Sequence, residues 1–282
     1  MQIVVASGKG GTGKTTVAVN LALALSATRQ VTLADCDVEE PNLHLFFSAR
    51  AEEQIVTIPV PEIDTSTCTL CGKCGNFCRY GALIVLKDQV LQYPQLCHSC
   101  GGCSMVCPVG SISERPEKVG ILHVSNPEPS LRLISGTLKE GSIHTTAMIK
   151  AVRKQISSQD LVLLDAPPGT ACAAMETLEG CDFCLLVTEP TPFGLHDLTL
   201  IFQLAQLYHI PVGVVINRSD NQDNAVEYYC KENNIPVLMR IPFDREIALQ
   251  QGSGRIISRE DPVWRERFAH LGSECLTLAG AR

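Results

Sequence analysis

No stretch of the 282 residues approaches the ~18 consecutive apolar side chains that a membrane-spanning helix needs, so stable membrane insertion is not expected. Positive charge is also short. Lys and Arg number 23 against 30 Asp and Glu, a formal net charge of −7. That balance argues against nucleic acid and against an anionic membrane as the main partner, because both are held by a basic surface. The first residues, Met1-Gln2-Ile3-Val4-Val5-Ala6-Ser7, contain no basic n-region and turn polar at once, so no signal peptide is expected and a cytoplasmic protein is. The composition is not that of a disordered chain either, with 45% hydrophobic and 19% charged residues. A chain of this length forms one large domain or two unequal ones, and can bury a substantial core without staples.

Cysteine is abundant. There are 14, and eight of them fall between Cys68 and Cys107. Disulfides are not maintained in a reducing compartment, and clustered thiols there point to metal binding.

The N-terminal pattern is that of a βαβ unit. Ile3-Val4-Val5-Ala6 reads as a buried strand, Gly8 to Gly13 as a glycine loop, Thr15 to Ala27 as a helix apolar nearly all round, and Val31 to Ala34 as a second strand ending at Asp35 and Asp37. From about Pro59 to Arg115 periodicity fades into short turns and cysteines. Regular alternation then resumes: helices are expected over 143–156, 195–208, 244–251 and 262–278, and strands over 161–164, 183–188, 212–216 and 237–241. Within the cysteine segment, 68–84 resembles 97–112, an internal repeat.

Gly8-Lys9-Gly10-Gly11-Thr12-Gly13-Lys14-Thr15 fits two motifs. Gly8, Gly10 and Gly13 spell a dinucleotide fingerprint, with Asp35 near the position of a ribose-binding acid. The same stretch is a full Walker A loop. Lys14 and Thr15 decide for the second reading. A triphosphate needs a lysine against its β/γ charge and a hydroxyl on Mg²⁺, whereas a dinucleotide uses neither. Leu161-Val162-Leu163-Leu164-Asp165 supplies the apolar strand ending in a carboxylate that Mg²⁺ also requires.

Lys9, ahead of Lys14, resembles the second "signature" lysine in the deviant Walker A loop of the MinD/ParA/Mrp-type ATPases, a group that includes the nitrogenase iron protein. Asp35-Cys36-Asp37 is similar to the switch I motif of that group, Asp165-Ala166-Pro167-Pro168-Gly169-Thr170 to its switch II, and Asn217-Arg218 to its base-recognition site. The resemblance implies ATP/ADP and Mg²⁺ as ligands and a homodimer, or a heterodimer with a related ATPase. By position, Lys14 and the amides of Gly8, Gly10, Gly11, Thr12 and Gly13 hold phosphates and Thr16 contacts phosphate. Thr15 ligates Mg²⁺, with Asp35 and Asp165 supporting it through water. Asp37 orients the attacking water. Asn217 hydrogen-bonds adenine, beside backbone near Pro242. Lys9 reaches into the partner subunit's site, where a cation offsets charge developing on the γ-oxygens, as an arginine finger does.

Cys68-x2-Cys71-x2-Cys74-x3-Cys78 is followed by Cys97-x2-Cys100-x2-Cys103-x3-Cys107-Pro108. A structural zinc site needs only two Cys-x2-Cys knuckles. Three cysteines spaced two apart wrap three corners of a cubane, and in the bacterial ferredoxin pattern the fourth of each run serves the other cluster. The pattern therefore implies two [4Fe–4S] clusters, one on Cys68, Cys71, Cys74 and Cys107, the other on Cys97, Cys100, Cys103 and Cys78. Arg79 stands where the second run has Pro108, and a cation there could raise the potential of the neighbouring cluster. Cys36, Cys181, Cys184, Cys230 and Cys275 read as buried structural thiols. Cys172, on switch II, lies where the nitrogenase iron protein has a cluster ligand, but 131–141 offers no second cysteine, and a structural role is preferred. His98 is expected in an exposed loop, and the C-terminal helix, lacking a basic face, on the sheet.

The expected architecture is an α/β P-loop ATPase domain (1–60 and 116–282), mostly parallel with helices on both faces, interrupted by a small ferredoxin-like α+β domain (61–115). The expected activity is ATP hydrolysis coupled to electron transfer through two [4Fe–4S] clusters to a redox partner protein. The alternatives are an ATP-driven assembly or carrier factor with a cofactor-accepting partner, and a positioning ATPase of the division or partition type.

Overall fold

Gln2–Ala6 (β1), Leu161–Asp165 (β8) and Phe183–Thr188 (β9) are short runs of almost nothing but apolar residues, and such runs form strands buried on both faces. A computed structural model describes residues 1–157, 161–219 and 224–280. Between β1 and β8 the chain forms α1 (Lys14–Ser26), β2 (Val31–Asp35), β3 (Glu52–Ile63), α2 (Lys73–Phe77), β4 (Leu83–Val85), β5 (Val90–Gln92), α3 (Gly102–Met105), β6 (Ile112–Glu128), β7 (Leu131–Leu138) and α4 (Thr145–Lys154). After β8 come α5 (Cys172–Leu178), β9, α6 (Pro192–Leu207), β10 (Val212–Ser219), α7 (Asn224–Glu232), β11 (Val237–Pro242), α8 (Arg245–Gly252), α9 (Ile257–Glu260) and α10 (Pro262–Gly280). The chain divides into two compact units, 1–53 with 122–137 and 149–282, and 54–121 with 138–148.

In the first unit the strands run in the order β11-β10-β9-β1-β8-β2-β7. Every pairing in that row is parallel, with Ile3 opposite Leu163 and Phe183, and Leu33 opposite Leu163 and Leu133. Ile3, Val5, Leu33, Leu163 and Leu185 join one apolar cluster with α1 and α10. Val4, Ala34, Leu164 and Leu186, which alternate with them, are buried just as completely, so both faces of the sheet are covered. α10 enters that cluster through Phe268, Leu271 and Cys275, and Gly272 lets it close on α1: a Cβ there would meet Leu25 Cδ2 at 2.6 Å. Parallel pairing brings the C-terminal ends of β1, β2 and β8 to one edge, where an open α/β sheet binds its ligands.

In the second unit β3 lies beside β6, β4 and β5 form an antiparallel hairpin, and α2 and α3 are single turns. This region departs from the irregular segment expected from sequence. β3 has 12 residues and β6 has 17, and neither was anticipated. Prolines hid them: Pro59 and Pro61 lie in β3, an edge strand, where an N–H facing away from the sheet needs no partner, and Pro116 and Pro127 interrupt β6, which lies between β7 and β3. The unit is also wider than the 61–115 segment expected as a separate domain.

Candidate functional site

The loop after β1 is shaped by its glycines. Gly11 and Gly13 have φ of 79° and 90°, a region that favours glycine. Cβ atoms at Gly10 or Gly11 would meet nothing within 4 Å, so the loop faces open space there. At Gly8 a Cβ would lie 2.2 Å from the Asp197 carbonyl oxygen, which ties the loop to α6. Lys14 opens α1, and its Nζ donates to Asp165 Oδ1 at 2.7 Å; the Thr15 hydroxyl donates to Asp165 Oδ2 at 2.7 Å. Asp165 is fully buried and Lys14 nearly so. Burial alone would push the ammonium's pKa down, but Asp165, helped by Asp37 and Asp35, more than offsets this and holds it above the usual lysine value.

Asp35 is also fully buried. Its Oδ1 accepts from Asp37 N at 3.1 Å and its Oδ2 from the amides of Asn42 (3.1 Å) and Leu43 (3.2 Å). Burial and the neighbouring Asp165 carboxylate raise its pKa to about 7, against the pull of those amides and Lys14. Burial raises Asp37 as well, and Lys14 opposes it. Two carboxylates crowded beside one lysine, with a hydroxyl in reach, are a donor set for a hard divalent cation. The Thr12 hydroxyl, buried and without a hydrogen-bond partner, is an unsatisfied polar atom within the loop itself. Both observations fit a loop that takes Mg²⁺ and a polyphosphate anion.

Asn217 is buried against the loop, its Nδ2 donating to the Thr12 carbonyl at 2.7 Å and its Oδ1 accepting from Arg218 N. The β10–β11 register sets Pro242 opposite Ser219, two residues beyond Asn217. Thr16 lies in the first turn of α1, where its carbonyl accepts from Asn20 Nδ2. Lys9, expected to reach a partner subunit, makes an ion pair within its own chain, 2.9 Å from Glu189 Oε2. The other oxygen of Glu189 accepts from Arg218.

The cysteine segment is a repeat with an offset of 29 residues, visible in the backbone. Leu70 and Ser99, both non-glycine, have φ of 54° and 53°; Gly72 and Gly101 have 77° and 69°; Gly81 and Gly110 have 67° and 65°. Asp64 N donates to Ser111 O, and Tyr93 N to Ala82 O. These are equivalent bonds with the repeats exchanged: the strand leading into each cysteine run pairs with the segment that follows the other run. The exchange carries Cys107 to the first run and Cys78 to the second. One cavity is lined by Cys68, Cys71, Cys74 and Cys107, another by Cys78, Cys97, Cys100 and Cys103. These are the two groupings that the ferredoxin spacing implies. All fourteen cysteines are free thiols. Among the described residues no group of His, Cys, Asp or Glu closes tightly enough to hold a single metal ion. Burial raises the pKa of Cys74, Cys97 and Cys103, while a bond to Ser111 lowers that of Cys107. Four soft thiols around each cavity, with no other metal-ligating residue common to both sets, suit iron–sulfur chemistry.

The family model described as the CobQ/CobB/MinD/ParA nucleotide binding domain matches residues 3–257. The chain belongs to this family. It is 31% identical over 259 residues to an uncharacterised protein of Methanocaldococcus jannaschii, covering 88% of each chain. It is 24% identical over 266 residues to the iron-sulfur cluster carrier protein of the same organism, covering 86% of this chain and 72% of that one. Among solved structures, the Pyrococcus furiosus cell division ATPase MinD matches with a TM-score of 0.59 and 22% identity over 98% of both chains, a likeness of fold. The α/β, mostly parallel P-loop fold is thus that of the MinD/ParA-type ATPases. No described helix is long and apolar enough to cross a membrane.

In this CobQ/CobB/MinD/ParA-family chain, sequence reasoning missed Glu189. It directly follows an apolar strand, much as Asp35 and Asp165 close theirs, and that shared signal could have found it. Its side chain bridges Lys9 and Arg218, linking the phosphate loop to the strand end that carries Asn217. Cys172 is exposed at the start of α5, while Cys181 and Cys184 are buried with raised pKa values.

Proposed function

We propose that this MinD/ParA-type ATPase holds iron–sulfur clusters on its eight clustered cysteines and that its nucleotide cycle governs their delivery to an acceptor protein. The observation that carries the reading is the pair of four-thiol cavities in a chain that also has a complete phosphate loop. A relative named as an iron-sulfur cluster carrier supports delivery over the positioning reading. The doubled ferredoxin spacing favours one further reading, ATP-gated electron transfer through two [4Fe–4S] clusters to a redox partner.

Lys14 and the loop amides hold the phosphates, and Thr15 and Asp165 exchange their mutual hydrogen bond for Mg²⁺. Asp35 supports the ion, and Asp37 sits on the segment that responds to the γ-phosphate. That segment leads in sequence directly into the cysteine unit. Asn217 turns its amide to the adenine. In an ATP-bound dimer Lys9 leaves Glu189 for the partner subunit's phosphates. Lys9→Ala is therefore expected to leave the protein monomeric with ATP, measured by sedimentation; an unchanged ATP-dependent dimer would remove Lys9 from that role.

Anaerobic purification followed by iron and acid-labile sulfide analysis tests the cluster reading. About eight of each per chain are expected. Zinc in place of iron, or no sulfide, would sink it. Delivery and electron transfer separate on mixing with an acceptor apoprotein: delivery moves iron and sulfide to it, whereas electron transfer leaves both on this chain.

A further inference from the structure

The internal repeat compares the two cysteine cavities position by position. The thiols themselves are alike. Each set has one exposed thiol, Cys71 or Cys100, one buried thiol, Cys74 or Cys97, and two half-buried ones, although the buried thiol sits at a different position of the repeat in each. The linings are not alike. The Cys68/Cys71/Cys74/Cys107 cavity measures about 10 Å³ and is walled by Val85, Val109 and Thr69. The Cys78/Cys97/Cys100/Cys103 cavity measures about 480 Å³ and has, at the equivalent positions, Glu114, Tyr80 and His98. Tyr80 and His98 are exposed and stacked, with ring centroids 3.6 Å apart. The Glu114 carboxylate lies against the backbone beside Cys100, 3.5 Å from where a Cβ on Gly101 would sit.

We infer that the two sites are unequal in function: Cys78, Cys97, Cys100 and Cys103 load and release a cluster as cargo, while Cys68, Cys71, Cys74 and Cys107 keep theirs, a division that rests on the iron–sulfur reading of the same cysteines. A tight wall keeps water and competing thiols from an iron–thiolate bond, whereas a roomy cavity with a carboxylate, a phenol and an imidazole at its rim admits them. Glu114 sets a carboxylate against an anionic four-thiolate set where the counterpart has a valine, and like-charge repulsion there offsets the pull of Arg79 on the same cavity, while the described lining of the other cavity has Lys73 and no carboxylate. Transfer exchanges each of the four iron–thiolate bonds for one to an incoming acceptor thiol. The proton of each acceptor thiol passes to the thiolate set free, and no electron is gained or lost.

The experiment is iron release from the anaerobic holoprotein to excess bathophenanthroline disulfonate. Two phases of about four irons each are expected, the first about ten- to a hundred-fold faster. Cys78→Ala should leave only the slow phase, and Cys107→Ala should abolish the slow phase. Should either variant fail to fold, Glu114→Val with His98→Thr gives the open site two of its counterpart's three residues and should slow the fast phase about ten-fold; an unchanged fast phase would remove those residues from the inequality. A single phase of eight irons, or a fast phase removed by Cys107→Ala, would overturn the inequality and leave the cluster reading standing. A protein that binds no iron and sulfide defeats that reading itself.

Discussion

Asp165→Ala is expected to lower the ATPase kcat about a thousand-fold and, separately, to destabilise the protein by about 3–5 kcal/mol. The second effect follows from the geometry without any nucleotide. Asp165 is fully buried and receives both Lys14 Nζ and the Thr15 hydroxyl at 2.7 Å. Removing it leaves an ammonium with 8% of its side chain exposed to the weaker pull of Asp37 and Asp35, and a buried charge that has lost its main partner costs far more than the pair itself contributes. Lys14→Met together with Asp165→Leu removes both charges at similar volume. That double variant should recover stability to within about 1 kcal/mol of the parent while hydrolysing no ATP. Denaturant melts and phosphate release measure the two effects independently. If the double variant is as unstable as Asp165→Ala, the ion pair is not the cause.

Removal of iron should disorder the cysteine unit and spare the nucleotide site. Stripped anaerobically with chelator, the protein is expected to be cut by trypsin within 54–121 at least about ten-fold faster, while ATP still protects the rest of the chain. That unit has fewer than about 80 residues. Two small apolar clusters lie in it, one of Ile58, Val60, Ala82 and Val119, the other of Ile63, Leu83 and Ile112, completed by Cys97 and Cys74. Units of that size with so small a core need staples, and thiol-held clusters are the staple within reach. The first unit has its own large core around α1, α10 and the parallel strands, so its melting should be unchanged. Equal proteolysis with and without iron would refute the dependence.

Both predictions use residues whose type was legible in the sequence. The phosphate loop, Asp35, Asp165 and the cysteine runs announce themselves because each needs a particular residue at a particular short spacing: a glycine where φ is positive, a lysine and threonine opening a helix, thiols two apart around a corner. Spacing of that kind is local, and local physics writes it into the chain. The parallel strands other than β7 were legible for a similar reason, since strands buried on both faces are continuous apolar runs. β3, β6 and β7 were not: prolines break the alternation of β3, an edge strand, and of β6, and Arg132 and Ser135 interrupt the apolar run of β7.

The order of the amino acids set the chemistry on offer: a nucleotide loop with its carboxylates, eight thiols in a doubled pattern, and an acidic composition with no apolar run of membrane-spanning length. Which groups face one another depends on the packed fold. It paired Lys9 with Glu189, 180 residues away in the chain, turned Asn217 onto the Thr12 carbonyl, and set a valine wall around one set of thiols and a glutamate, tyrosine and histidine around the other. The physical reason is range. A motif is held by bonds between near neighbours, whereas these contacts depend on burial, on strand register and on the exchange of two repeats, and they exist only once distant segments have packed.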